Sequence, residues 1–98
     1  MNGSNHLGRF IKECRASLGF TSRKVEELTR TGPGLTAISH SNLLAMEKGT
    51  YVPTFDKVLT LAAVFNVPTQ HFEAHLRRDM TDPAPPAETV PLDALLAS

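Results

Sequence analysis

Ser39-His40-Ser41-Asn42-Leu43-Leu44-Ala45-Met46-Glu47-Lys48-Gly49 is the stretch whose reading decides the fold. It predicts one helix with both ends marked. Ser39 is an N-cap, because its hydroxyl accepts a bond from a free backbone N–H of the first turn. Gly49 is a C-terminal stop, because glycine enters the left-handed region without steric cost. Leu43 and Met46 are three apart and share a face that points into a core. The other face begins with His40, Ser41 and Asn42, short hydrogen-bonding groups at the positive end of the helix. A helix anchored on one side, with small polar groups at its N-terminus, suits the major groove of DNA.

Outward from this helix the chain reads as all-α. Leu7, Ile11, Cys14, Ala16 and Leu18 predict a first helix over about residues 6–18, ended by Gly19. Thr21 or Ser22 then opens a second helix to about residue 31, with Val25 and Leu28 inward. Thr31-Gly32-Pro33-Gly34 is the strongest turn signal. Leu35 and Ile38 are expected to pin the connection that follows. After Gly49, Thr50-Tyr51-Val52-Pro53 is an extended link. Thr54 is expected to cap a fourth helix, where Val58, Leu61, Ala62 and Phe65 form a buried stripe. Asn66-Val67-Pro68 breaks it. Thr69 is expected to cap a fifth helix, with Phe72 and Leu76 inward, ending near Arg77-Arg78.

From Asp79 the composition changes. Asp82-Pro83-Ala84-Pro85-Pro86-Ala87 is poorly able to pack. Pro91-Leu92-Asp93-Ala94-Leu95-Leu96 reads equally as a docking segment or as unstructured chain. The expected organisation is therefore one domain over residues 1–78 and a Pro-rich linker with a short Leu-containing tail over 79–98.

The chain of 98 residues has no net charge at pH 7, but the charge is unevenly spread. Residues 1–55 hold seven Lys/Arg against four Glu, and residues 56–98 hold three basic against six acidic groups. The basic part contains the central helix, which favours a polyanionic partner there. No apolar run approaches the roughly 18 residues of a membrane span. No signal peptide is expected, because no basic region precedes an apolar block. Cys14 is the one cysteine; it reads as a small, partly buried residue and fits a reducing cytoplasm.

Catalysis and metal binding are not expected. Ser39, His40 and Ser41 are consecutive and project in different directions, so they are no nucleophile–base pair. His71 and His75 are four apart, but His-Phe-Glu-Ala-His places its glutamate wrongly for a zinc protease and lacks a third ligand. The Gly-Pro-Gly turn lacks the lysine of a phosphate-binding loop, and no cofactor is expected.

Taken together, these features resemble the repressor/Cro-type, or XRE-like, helix-turn-helix family. The resemblance runs from about Leu7 to Leu76. Leu7…Ile11…Arg15…Gly19-Phe20-Thr21 is similar to the family's first helix and the residue opening its second. Ser39…Leu43…Met46-Glu47-Lys48-Gly49…Pro53-Thr54 is similar to its recognition helix and the link that follows. Leu61-Ala62…Phe65-Asn66-Val67…Phe72 is similar to its closing helices.

The resemblance implies a five-helix, repressor-like helix-turn-helix domain and a function: a double-stranded DNA-binding transcriptional regulator, a repressor, with no enzymatic activity. One such domain offers a small interface, so a homodimer is expected, in the cytoplasm on nucleoid DNA. The resemblance also implies base readout by His40, Ser41, Asn42 and Ala45, with Asn42 suited to a bidentate contact with adenine. It implies phosphate contacts from Ser22, Arg23, Lys48, Thr50 and Tyr51, and a structural ion pair between Arg15 and Glu47.

The chain departs from the family in three places. The segment Gly32–Ile38 lengthens a connection that normally takes about four residues, and it is expected either to project toward DNA or a partner or to bulge into solvent. Glu26 stands where a small alanine is usual, and Leu44 where an exposed polar residue is usual. A protein partner through Leu44 or the tail, as for an antitoxin or adaptor, is the alternative expectation.

Overall fold

A computed structural model describes residues 5–81. Among them are five helices and no strand: α1 (His6–Ser17), α2 (Ser22–Thr31), α3 (His40–Lys48), α4 (Phe55–Phe65) and α5 (Thr69–Thr81). Of the linker and tail expected over 79–98, residues 79–81 belong to α5, and 82–98 lie outside the described residues.

The central helix has both expected ends. Ser39 Oγ accepts from the Asn42 N–H at 3.1 Å, and Gly49 lies in the left-handed region at φ 83°. Of the two candidates for opening α2, Thr21 takes the cap, its Oγ1 accepting from the Lys24 N–H at 3.0 Å. Thr54 differs. It holds the N-cap position of α4, but its hydroxyl donates to the Asp56 carboxylate and makes no cap bond. Thr69 is not a cap at all: α5 begins at Thr69 itself, and the Pro68 carbonyl accepts from the His71 N–H at 3.1 Å.

The core is a single cluster drawn from every helix. Leu7 and Ile11 come from α1, Val25 from α2, Leu43 and Met46 from α3, Val58, Leu61, Ala62 and Phe65 from α4, and Phe72 from α5. Two residues expected in the α1 stripe are outside it. Ala16 is exposed, because five positions beyond Ile11 places it roughly 140° around the helix. Leu18 is 45% exposed, because α1 has already ended at Ser17 and the chain turns away through Gly19 at φ 72°. Cys14 is half-buried against the core, and burial, together with nearby Glu13, raises its thiol pKa. Leu28 and Leu76, expected inward, are half-buried.

The long connection between α2 and α3 is tied down. Ile38 is 1% exposed, and its N–H donates to Thr29 Oγ1 at 3.0 Å. Thr29 is itself fully buried, and its hydroxyl donates to the Glu26 carbonyl at 2.9 Å. Further back, the Thr36 N–H donates to the buried Thr60 hydroxyl at 2.9 Å, and Thr36 Oγ1 donates to Asp56 at 3.3 Å. Leu35 is half-buried against Gly32. The segment thus joins α2 to α4 instead of bulging freely, since its backbone donors have fixed acceptors.

α5 continues past the expected stop at Arg77-Arg78 as far as Thr81, the last of the described residues. The reason is tertiary. Asp79 accepts from the His6 N–H at 2.5 Å and the Leu7 N–H at 3.0 Å, so its carboxylate caps the start of α1. Asn5, the residue before α1, makes no cap bond there and instead donates to the Glu47 carbonyl at 3.1 Å. A carboxylate at a helix N-terminus is favoured by the unpaired N–H groups and the helix dipole.

α1 and α5 also meet through rings. Phe10 packs edge-on against Phe72 with centroids 5.1 Å apart, and stacks on His75 at 4.4 Å. His75 Nδ1 is buried, with no hydrogen-bond partner among the described residues. Burial, then the nearby Arg78 and His6 charges, outweighs Asp79 and Glu13 and holds the His75 pKa below its ordinary value. A group with a depressed folded pKa of this kind binds fewer protons folded than unfolded. Its contribution to stability is present above the unfolded histidine range, about pH 6.5, and is lost as pH falls through the folded value. His75→Phe keeps a ring on Phe10 and removes the titration. The urea midpoint of the natural chain should therefore fall more between pH 7.5 and pH 5 than that of the variant; parallel pH profiles would show that His75 does not set this slope.

Candidate nucleic-acid interface

The buried face of α3 comes first, because it positions the other. Leu43 and Met46 are 0% and 2% exposed. Glu47 is also buried, and it meets Arg15 of α1 in a two-point contact: Nε to Oε2 at 2.6 Å and Nη2 to Oε1 at 2.9 Å. Arg15 Nη1 further donates to the Phe20 carbonyl at 3.1 Å. The bond to Glu47 raises the Arg15 pKa above its ordinary value. One guanidinium thus holds the end of α1, the turn into α2 and the last turn of α3. A planar fork suits this role because its donors match a carboxylate pairwise.

On the other face, Ser41 is exposed, while His40, Asn42 and Ala45 are half-buried. Two of these four have partners from other helices. His40 Nδ1 is 2.9 Å from Glu26 Oε1 of α2. This bond holds the Glu26 carboxyl below its usual range. A carboxylate only accepts, so Nδ1 carries the proton in this contact. The position of a usual small alanine is therefore occupied by a polar contact between α2 and α3. Asn42 Oδ1 accepts from Lys57 Nζ of α4 at 2.9 Å, and the same ammonium donates to the Tyr51 hydroxyl at 2.9 Å.

The residues expected on the phosphate backbone are placed as follows. Lys48 and Arg23 are exposed, and among the described residues neither is held in an ion pair. Ser22 is the first residue of α2 and is half-buried. Thr50 turns back on α3: its N–H and hydroxyl both donate to the Ala45 carbonyl, at 3.0 and 3.2 Å. Tyr51 belongs to the Lys57 cluster. No hydrogen bond or ion pair among the described residues joins Ser22 or Arg23 to that cluster.

Glu26, Arg30, Ala37, Ile38, Ser39, Asn42 and Lys57 line an open cleft of about 350 Å³ beside the start of α3. Lys57, Arg30 and Glu26 are thus part of this face, although no local pattern marks them. Lys57 is 15 residues from Asn42 and Glu26 is 14 from His40, so only the packing of α2 against both α3 and α4 brings them together. Leu44 is half-buried; among the described residues the most exposed large apolar side chains are Met80, Phe55 and Val52, which line other clefts.

A family model described as Helix-turn-helix domain matches residues 8–73. The chain belongs to the helix-turn-helix domain family. It is of the XRE-like, Cro-type kind. No curated protein and no solved structure matches it. The helix-turn-helix domain supports a DNA-binding regulator in general, and its family is typically non-enzymatic. Among the described residues, no helix is long and apolar enough to cross a membrane, and no three His, Cys, Asp or Glu side chains come together to hold a metal ion.

Proposed function

We propose that this helix-turn-helix domain is a sequence-specific, double-stranded DNA-binding transcriptional repressor that reads the major groove with α3. The observation that carries the reading is the two-sided construction of α3. Leu43, Met46 and the Glu47–Arg15 contact hold one side, while His40, Ser41, Asn42 and Ala45 occupy the other. Ser22, Arg23, Lys48 and Tyr51 neutralise or bond phosphates and set the register; Thr50, expected beside them, instead spends its N–H and hydroxyl on the Ala45 carbonyl and steadies the end of α3. A single domain of this kind covers only about 600–1,000 Å². Two copies on half-sites one helical turn apart therefore supply the specificity. The chain acts as a homodimer on nucleoid DNA in the cytoplasm, with exposed Met80 at the end of α5 available to a second copy.

Binding to genomic duplex fragments across a salt series tests this reading. The logarithm of affinity should fall linearly with the logarithm of salt concentration, because phosphate contacts release condensed counterions. Lys48→Ala should lower affinity for all duplexes alike and reduce the slope by about 1. An absence of binding at low salt, or a slope near zero, overturns the proposal.

A further inference from the structure

Building on the DNA-binding reading above, we propose that Asn42 and Lys57 form one donor pair that selects guanine, and that Lys57 is the residue that sets this choice. Asn42 alone suggests adenine, since an amide can accept from adenine N6–H and donate to N7 at once. The structure places Asn42 under a different constraint. Its Oδ1 accepts from Lys57 Nζ at 2.9 Å. An ammonium has three donors and no acceptor, so chemistry dictates which way the amide turns: oxygen toward Lys57, NH2 away from it. Among the described residues, no acceptor is bonded to that NH2.

Lys57 is itself held in place. A second N–H donates to the Tyr51 hydroxyl at 2.9 Å, with Nζ 4.7 Å from the ring centroid, and the side chain lies half-buried along the cleft. This leaves a third ammonium proton for another acceptor, on a cation already bonded to the Asn42 amide. Two neighbouring donors meet two acceptors on the major-groove edge of guanine, O6 and N7. Adenine presents one acceptor and one donor there, and its N6–H2 would approach an oxygen already bonded to a cation. That approach is opposed electrostatically. Tyr51 thus serves the same pair by fixing Lys57.

Selection of bound duplexes from a randomised library with the full chain tests the proposal. The natural chain should enrich guanine at one position of each half-site. Asn42→Ala should reduce discrimination at that position by roughly 10-fold to 100-fold, the range of one good bidentate contact. Lys57→Met frees Oδ1 and should move the preference at the same position from guanine toward adenine. Lys57→Arg keeps donors in place and should retain guanine. A merely structural or phosphate-binding lysine would not exchange one base for another.

Several results overturn the proposal: adenine selected by the natural chain at the Asn42-dependent position, or Lys57→Met lowering affinity for every duplex equally with base preference unchanged. Binding without any enriched sequence overturns it while leaving general DNA binding intact. No binding at any salt concentration overturns the DNA reading beneath it. The contact has its own readout in the free protein: Lys57→Met should shift the Asn42 side-chain amide resonances in a nitrogen–proton correlation spectrum, and unchanged resonances overturn the pairing. Thermal unfolding of each variant confirms that the comparison is made between folded proteins.

Discussion

Arg15→Ala is expected to lower the free energy of unfolding by about 3–5 kcal/mol, the usual result of removing one partner of a buried ion pair. The side chains of Arg15 and Glu47 are 17% and 4% exposed. Without the guanidinium, the Glu47 carboxylate keeps its burial and loses two donors. The Phe20 carbonyl loses a donor as well. The size of the loss measures the stranded carboxylate more than the strength of the pair. For that reason Arg15→Met combined with Glu47→Met should recover most of the stability. Urea unfolding of Arg15→Ala and of the double variant checks this. An Arg15→Ala loss below about 1 kcal/mol, the scale of an exposed pair, would show that the contact is solvated. DNA affinity should fall with the loosening of α3, because Glu47 lies on its last turn.

Gly8→Ala is the second large effect, and its sign runs against helix propensity. In an isolated helix, alanine is better than glycine by about 1 kcal/mol. Here Gly8 lies in α1 where the C-terminal end of α3 crosses it. A Cβ at this position would sit 2.6 Å from the Met46 and Glu47 carbonyl oxygens. Those are backbone atoms, so no side-chain rotation relieves the clash, and the two helices must separate. The Glu47 carbonyl also holds the Asn5 amide at 3.1 Å, a bond that separation would break. Overpacking of this type costs about 1–3 kcal/mol, so Gly8→Ala is expected to destabilise by that amount in urea. A variant as stable as the natural chain would mean that α1 and α3 part without cost.

These two cases mark what was legible in the amino-acid sequence. Arg15 and Glu47 enter through resemblance to a family, whereas nothing around Gly8 sets it apart from a tolerated helical glycine. The cap at Ser39 and the stop at Gly49 are readable because each depends on groups within four residues, and the same signal narrows the start of α2 to Thr21 or Ser22. The stripe Val58, Leu61, Ala62 and Phe65 is readable because helical period alone gathers it. Thr54 and Thr69 show the weakness of cap signals: a hydroxyl with a nearer carboxylate, or a proline carbonyl placed before it, leaves the expected bond unmade.

The candidate site divides the same way. Exposure of Ser41, Lys48 and Arg23 follows from their places on short helices. The hydrogen-bond character of the face does not. His40 depends on Glu26 and Asn42 on Lys57, through pairings 14 and 15 residues apart between helices, with Tyr51 of the link holding Lys57.

By itself, the sequence determined that the chain is all-α, where most helices begin and end, and which helix is anchored on one side. Capping, turn chemistry and period act over a few residues, so a linear reading contains them. Only the tertiary structure decided that Asp79 caps α1 from 72 residues away, that the long connection is fastened to Thr29 and Thr60, and that Asn42 turns its oxygen inward to Lys57. These depend on how helices cross, and a crossing is set by the packing of the whole core.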